Sequence, residues 1–271
     1  DGVVKEFPKD MTMRDIAASI SSSLQKQAVG GKVNGRLVDL SYKLKEDCQL
    51  SIIAQDSQEG IEIIRHSAAH ILAQAMKRLY PNVSLAIGPV IDDGFFYDFK
   101  LPHSLSSDNL LEIEKEMENI INENLNIERI EVSYEEAEAL FKEKNENFKL
   151  ELLKDIPEGE KISLYQQGEF IDLCRGPHVP ATGYVKAFKL TRVSGAYWRG
   201  DSDNEVLQRV YGVAFNRKKE LAEYLHFLEE AAKRDHRKLG KQLQLFMFSD
   251  QAPGMPFYLA KGQIVRNELE K

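Results

Sequence analysis

What this 271-residue chain lacks narrows it first. Two cysteines, Cys48 and Cys174, give no disulfide framework, and their placement in what read as separate domains fits a reducing compartment. No apolar run approaches the ~20 residues that cross a bilayer, and residues 1–5 (DGVVK) lack the regions of a signal peptide, so a cytoplasmic protein is expected. Excess positive charge is also missing. A formal net charge of −7 excludes a chain that coats nucleic acid over its whole surface, but it leaves room for a local basic footprint. Histidine is scarce: of six, three fall with one of the two cysteines in residues 65–70 (RHSAAH) and 172–178 (DLCRGPH).

That concentration organises the rest. Residues 67–80 contain no Gly or Pro and are stopped by Pro81, which predicts a helix carrying His66 and His70 on one face at a spacing of four. At ~100° per residue, Ala68, Leu72, Ala75, Met76 and Leu79 form an apolar stripe, with the two histidines expected on the other side beside Ala73 and Lys77. Gly176-Pro177 makes the second piece an extended or turning loop and not a helix, on which Cys174 and His178 can still converge. Two imidazoles facing a thiol and a third imidazole could bind a metal, move a proton or hold a water.

Taken in order, residues 1–55 predict a compact unit: a strand at 3–7, a helix at 13–23, then short strands at 28–29, 32–33, 36–38 and 50–53, with Gly30-Gly31 and Asn34-Gly35 as turns. Thr12 with Asp15 reads as a capping box. One helix on a small sheet resembles a β-grasp module. Residues 56–60 read as a polar link. A hairpin is expected over 87–99, with Tyr97 among its aromatics, then an acidic amphipathic helix at 107–122, a strand at 127–132, a capped helix from Ser133, and further strands up to 211. Residues 60–215 therefore predict an α+β domain with a mainly antiparallel sheet. Residues 217–239 read as one unbroken basic helix ended by Gly240, able to meet phosphate. The helical run expected from 251–257 into Lys271 predicts a chain that stops inside a further domain.

Five blocks, 66–70 (HSAAH), 87–89 (IGP) with 94–99 (GFFYDF), 172–178 (DLCRGPH), 195–201 (GAYWRGD) and 234–240 (RDHRKLG), together resemble the bacterial type of threonyl-tRNA synthetase. The resemblance implies a TGS-like β-grasp domain at 1–55, an editing domain similar to that of alanyl-tRNA synthetase at 56–216, a linker helix at 217–240, and a truncated start of the class II catalytic domain at 241–271. It implies that the parent enzyme ligates threonine to its tRNA with ATP, Mg and zinc, as a homodimer through the class II domain. For this fragment it implies no aminoacylation, and hydrolysis of seryl-tRNA made in error on threonine tRNA, with threonine excluded by size. Serine lacks one methyl of threonine, and one such group gives a synthetic pocket only ~10–200-fold discrimination.

The family's pattern places His66 and Lys149 closest to the attacking water and the ester, and gives His70, Cys174 and His178 the task of shaping the site. Asp172 would read the serine amino group or hydroxyl, and Tyr97 would close the sieve. From residues alone, His66, His70, Cys174 and His178 are a plausible tetrahedral zinc set; the resemblance implies a site without metal, so no cofactor is expected. Two other readings fit parts of the chain: a tRNA-binding appendage without turnover, for which the basic helix speaks, and an alanyl-type zinc-dependent trans-editing domain, against which the N-terminal module speaks.

Overall fold

The computed structural model describes residues 4–271 and shows a mixed α+β chain built on antiparallel sheets. It divides into two compact units, Asp1–Leu221 and Ala222–Lys271.

The first unit opens with α1 (Met13–Ile20) and α2 (Ser22–Gln27), followed by β1 (Ala28–Val33), β2 (Arg36–Val38) and β3 (Leu50–Ala54), ordered β2-β1-β3. The capping box is present: Asp15 N–H donates to Thr12 Oγ1 at 3.1 Å, and Thr12 N–H donates to the Asp15 carboxylate at 3.2 Å. The single helix expected at 13–23 is two, because Ser21 turns extended and its hydroxyl caps α2 at Leu24 N (3.0 Å). Residues 4–7 form no strand, and Val3 lies outside the described residues. Gly30-Gly31 is no turn either but the middle of β1. A Cβ on Gly31 would meet Met13 Cε at 2.2 Å and one on Gly30 would meet Ile63 Cδ1 at 2.8 Å, so the glycines let two helices approach the strand. Asn34-Gly35, both left-handed (φ 49° and 81°), does make the hairpin turn between β1 and β2.

The next element, α3 (Gln58–Leu79), starts nine residues before the expected helix. Ser57 caps it at Gly60 N (3.1 Å), and Gly60 is needed because a Cβ there would lie 2.0 Å from the Ala54 carbonyl oxygen. The expected polar link at 56–60 is therefore mostly helix. The face of α3 expected to be polar is largely covered: His70 and Ala73 are buried, and only His66 and Lys77 stay partly exposed, because Phe170, Asp172, Cys174 and His178 close over the histidines.

The next sheet runs β10-β11-β6-β4, with β5 also on β6, from β4 (Ser84–Leu85), β5 (Val90–Ile91), β6 (Gly94–Lys100), β10 (Ala187–Tyr197) and β11 (Val206–Phe215). The acidic helix, α4, spans Ser107–Glu123 and buries Leu110, Ile113, Met117 and Ile120. A second antiparallel sheet, β7-β8-β9 (Ile127–Val132, Ile162–Gln167, Phe170–Leu173), makes two sheets of what sequence suggested as one. Between β7 and β8 lie α5 (Tyr134–Glu143), started by the Ser133–Glu136 capping box, and α6 (Asn147–Lys154), which the sequence reading passed over.

One helix, α7 (Lys218–Lys233), carries the chain into the second unit. The unbroken helix expected to 239 stops there: Asp235 caps a separate α8 (His236–Gln242), in which Gly240 is an interior residue packed on Phe246. The expected helical run from 251 is instead a hairpin of β12 (Phe246–Ser249) and β13 (Ala252–Tyr258), then α9 (Ala260–Leu269). Met247, Phe248, Met255, Ile264 and Leu269 of this unit are exposed. No described helix is long and apolar enough to cross a membrane.

Candidate functional site

The imidazoles of α3 and the loop after β9 meet as the spacing suggests. His66 and His70 stand one turn apart with ring centroids 5.4 Å apart, and His178 fits against both, 4.2 Å from His66 and 4.1 Å from His70. Cys174 Sγ lies 3.2 Å from His66 Nε2 and 3.3 Å from His178 Nε2, and accepts from Gly176 N–H at 3.2 Å.

Local hydrogen bonds fix one tautomer. The Ser67 hydroxyl donates to the Ile63 carbonyl at 2.9 Å and accepts from Val179 N–H at 3.0 Å. Its one proton is thereby used, so at 3.1 Å it accepts from His178 Nδ1–H, which leaves His178 Nε2 to accept from the thiol. Burial pushes the Cys174 thiol up to about 12 and holds His178 well below the ordinary imidazole value. His70 is lowered to about 3, chiefly by burial, against the pull of Asp172, and His66 is lowered too. All three imidazoles are therefore neutral at pH 7.

Behind this cluster sits a buried ion pair. Lys149, from α6, places Nζ 2.6 Å from Asp172 Oδ1 and donates to the Tyr97 hydroxyl at 2.9 Å; Tyr97 in turn donates to Asp172 Oδ2 at 2.7 Å. Lys149, Tyr97 and Asp172 are each at most 2% exposed. Burial opposes charge on Asp172, but Lys149 foremost, with His70 and the bonds from Lys149 and Tyr97, holds its carboxyl below the usual range. Tyr97 is raised well above its ordinary value by burial and by Asp172. His70 joins the two groups: its Nε2 is 3.9 Å from Asp172 Oδ2, while its buried Nδ1 has no partner.

The structure thus brings all seven residues singled out in the sequence into one site. Asp172 is more committed than expected, since Leu173 N–H (2.8 Å), Lys149 and Tyr97 already take most of its lone pairs. Three further residues touch His178: Ser67 at Nδ1, Tyr165 at the ring and Asp39 at the backbone N–H. Ser67 sits inside the HSAAH block but passes for a spacer, and Tyr165 and Asp39 carry no local signal.

The possible ligand atoms of His66, His70, Cys174 and His178 lie within 4.8 Å of one another, so the group could hold a metal; three imidazoles and a thiol suit zinc, with Ser67 behind His178 as an orienting partner. Elsewhere in the first unit, a cleft of about 780 Å³ is lined by Lys186, Arg217 and Lys218 with Asn122, Asn124 and Asn216.

Two family profiles match. One, "TGS domain", covers residues 1–54, and the other, "Threonyl and Alanyl tRNA synthetase second additional domain", covers residues 162–211. The chain is 72% identical over 271 residues to threonine–tRNA ligase 2 of Bacillus subtilis, 58% over 272 residues to threonine–tRNA ligase of Geobacillus kaustophilus, and 55% over 270 residues to that of Legionella pneumophila. Each match takes in all of this chain but 42% of the relative, so the chain spans about two-fifths of the length of these curated proteins. Carrying a TGS domain and the second additional domain, and aligned end to end with these ligases, it belongs to the threonine–tRNA ligase family and corresponds to its N-terminal region.

Proposed function

We propose that this chain is the editing region of a threonine–tRNA ligase, hydrolysing the ester of serine mischarged on threonine tRNA. What carries the reading is the convergence at His70 of a neutral His/Cys cluster and a buried ammonium–carboxylate pair, a mixture with no need in a purely structural core. Ester hydrolysis requires a base for the attacking water and positive charge where the oxyanion develops. His66 is the least enclosed of the three imidazoles and neutral, so it can accept the water's proton. Lys149, held in place by Asp172 and Tyr97, supplies the positive charge. His70, Cys174 and His178 shape the floor, Asp172 offers its remaining lone pair to the serine, and Tyr97 bounds the volume against a threonine methyl.

Zinc bound at His66, His70, Cys174 and His178 would supply a Lewis acid and a low-pKa water. The steps above use side chains alone, and we propose that no metal is needed. The tRNA backbone would be met at the cleft of Lys186, Arg217 and Lys218, where no described carboxylate lines the wall. Residues 1–55 would be the TGS-like domain, 56–216 the editing domain, 217–240 a linker now read as two helices, and 241–271 the opening of the catalytic domain, whose exposed apolar residues suit burial by more chain. The whole ligase would charge threonine with ATP in the cytoplasm as a homodimer.

A minimal substrate tests the chemistry without tRNA docking. Seryl ester on the 3′ oxygen of adenosine should be hydrolysed by this chain, and His66→Ala should slow the step by about 10²–10⁴-fold. The zinc content of the same preparation should be far below one per chain; stoichiometric zinc that is lost, with the activity, in Cys174→Ser would replace the side-chain mechanism by a metal-assisted one.

A further inference from the structure

The loop that carries Cys174 and His178 is gripped by a residue from the N-terminal domain. Asp39 follows β2, 139 positions from His178 in sequence, yet its Oδ1 accepts from the His178 backbone N–H at 3.0 Å. Its Oδ2 accepts from the Tyr165 hydroxyl at 2.7 Å. Tyr165 in turn meets the His178 ring edge-on at 4.5 Å, and it leaves no room beside Gly176, where a Cβ would fall 1.8 Å from the tyrosine oxygen and φ is +65°. One carboxylate therefore fixes the backbone of His178 directly and one face of its ring through Tyr165, while Ser67 holds Nδ1 from the opposite side.

Burial raises the Asp39 carboxyl above its ordinary value, against the bonds from His178 and Tyr165, so the contact is made at a cost in solvation. Attachment of a TGS domain to its neighbour needs no such arrangement: Val29 and Ile53 already pack into the core that contains Ile63, Ile64 and Ala68. The carboxylate reaches past that apolar contact to the loop bearing two of the site's four possible ligands.

We propose that Asp39 is a positioning residue of the candidate hydrolytic site, through which the TGS domain sets the 176–178 turn so that Cys174 and His178 face His66. The proposal rests on the editing reading above for its effect on turnover, and on geometry alone for its effect on the loop. Displacing such a loop by about 1 Å costs on the order of 10²-fold in rate.

The test uses the whole chain in a Cys48→Ser background, with two readouts, at temperatures where unfolding curves show each variant fully folded. Asp39→Ala should lower kcat on the seryl-adenosine ester about 10–100-fold, with KM changed by less than about threefold. It should also raise the alkylation rate of the Cys174 thiol. Asp39→Asn should restore both readouts towards the parent, because its amide oxygen can accept from His178 N–H and its NH₂ can donate to the Tyr165 oxygen; a merely electrostatic role would not be rescued this way, and loss of fold is separated by measuring only where each variant is folded. Tyr165→Phe removes only one arm and should give a smaller change of the same kind, and it decides the question if Asp39→Ala does not fold. Parent-like kcat and alkylation in Asp39→Ala, or equal damage in Asp39→Asn, would overturn the proposal. If the parent chain itself left the ester intact, the editing reading would fail, while the alkylation rates would still decide whether Asp39 sets the loop.

Discussion

Replacing Lys149 by methionine should destabilise the chain by about 3–5 kcal/mol, because it strands the Asp172 carboxylate in a site where its side chain is 3% exposed. The pair itself need contribute little net stability. Two ions removed from water lose hydration that their attraction at 2.6 Å only offsets, so the penalty comes from breaking the pair, not from its strength. On the proposed editing function, hydrolysis should fall about 10²–10³-fold, because Lys149 is the charge proposed to meet the oxyanion. Denaturant titrations at pH 7 should show the midpoint drop at unchanged slope. Lys149→Met combined with Asp172→Leu should recover much of the stability and none of the activity, since no unpaired charge remains. A single variant within about 1 kcal/mol of the parent would mean that water reaches Asp172 and that the pair is not dry.

The second large effect is acid lability. His70 is lowered to about 3 by burial, while in the unfolded chain it titrates near 6.5. Between those values the unfolded state binds a proton that the folded state refuses, so stability rises with pH. The contribution is complete above about 6.5 and drains away as pH falls towards 3, at up to ~1.4 kcal/mol per pH unit for this one group. His66 and His178 are shifted in the same direction and add to the slope, whereas the lowered Asp172 acts only below its own unfolded value near 3.8. Unfolding free energy measured from pH 7.5 to 5 should therefore fall with a slope of more than one proton, and His70→Gln should remove about one proton from it. A flat profile in the parent chain would contradict the burial of three neutral imidazoles.

Much of this site was legible because its parts are local. A spacing of four on a Gly- and Pro-free run places His66 and His70 together on any helix, and Gly176-Pro177 between Cys174 and His178 makes that piece a loop and not a helix. The capping boxes at Thr12 and Ser133 were readable for the same reason, being bonds between residues three apart. What failed was whatever depended on a distant neighbour. Gly30-Gly31 looks like a turn until Met13 and Ile63 are seen against it, and Gly60 looks like a linker until the Ala54 carbonyl is placed beside it. The polar-looking face of α3 is largely covered because Phe170, Asp172 and the loop with Cys174 and His178, about a hundred residues on, close over it, which periodicity along one helix cannot register. Asp39 and Tyr165 follow the same rule: their function is a contact across more than a hundred residues. Lys149 was placed in the site by family resemblance alone, and the reason it carries no pattern of its own is that its partners come from β6 and β9 rather than from α6.

The most direct test of the editing reading is a competition between two esters on the same threonine tRNA. Incubated with this chain at pH 7, seryl-tRNA should lose its amino acid at least about tenfold faster than threonyl-tRNA, the scale set by one methyl group, and His66→Ala should abolish the difference. Equal stability of both esters, or loss of both at a rate indifferent to His66, would contradict it.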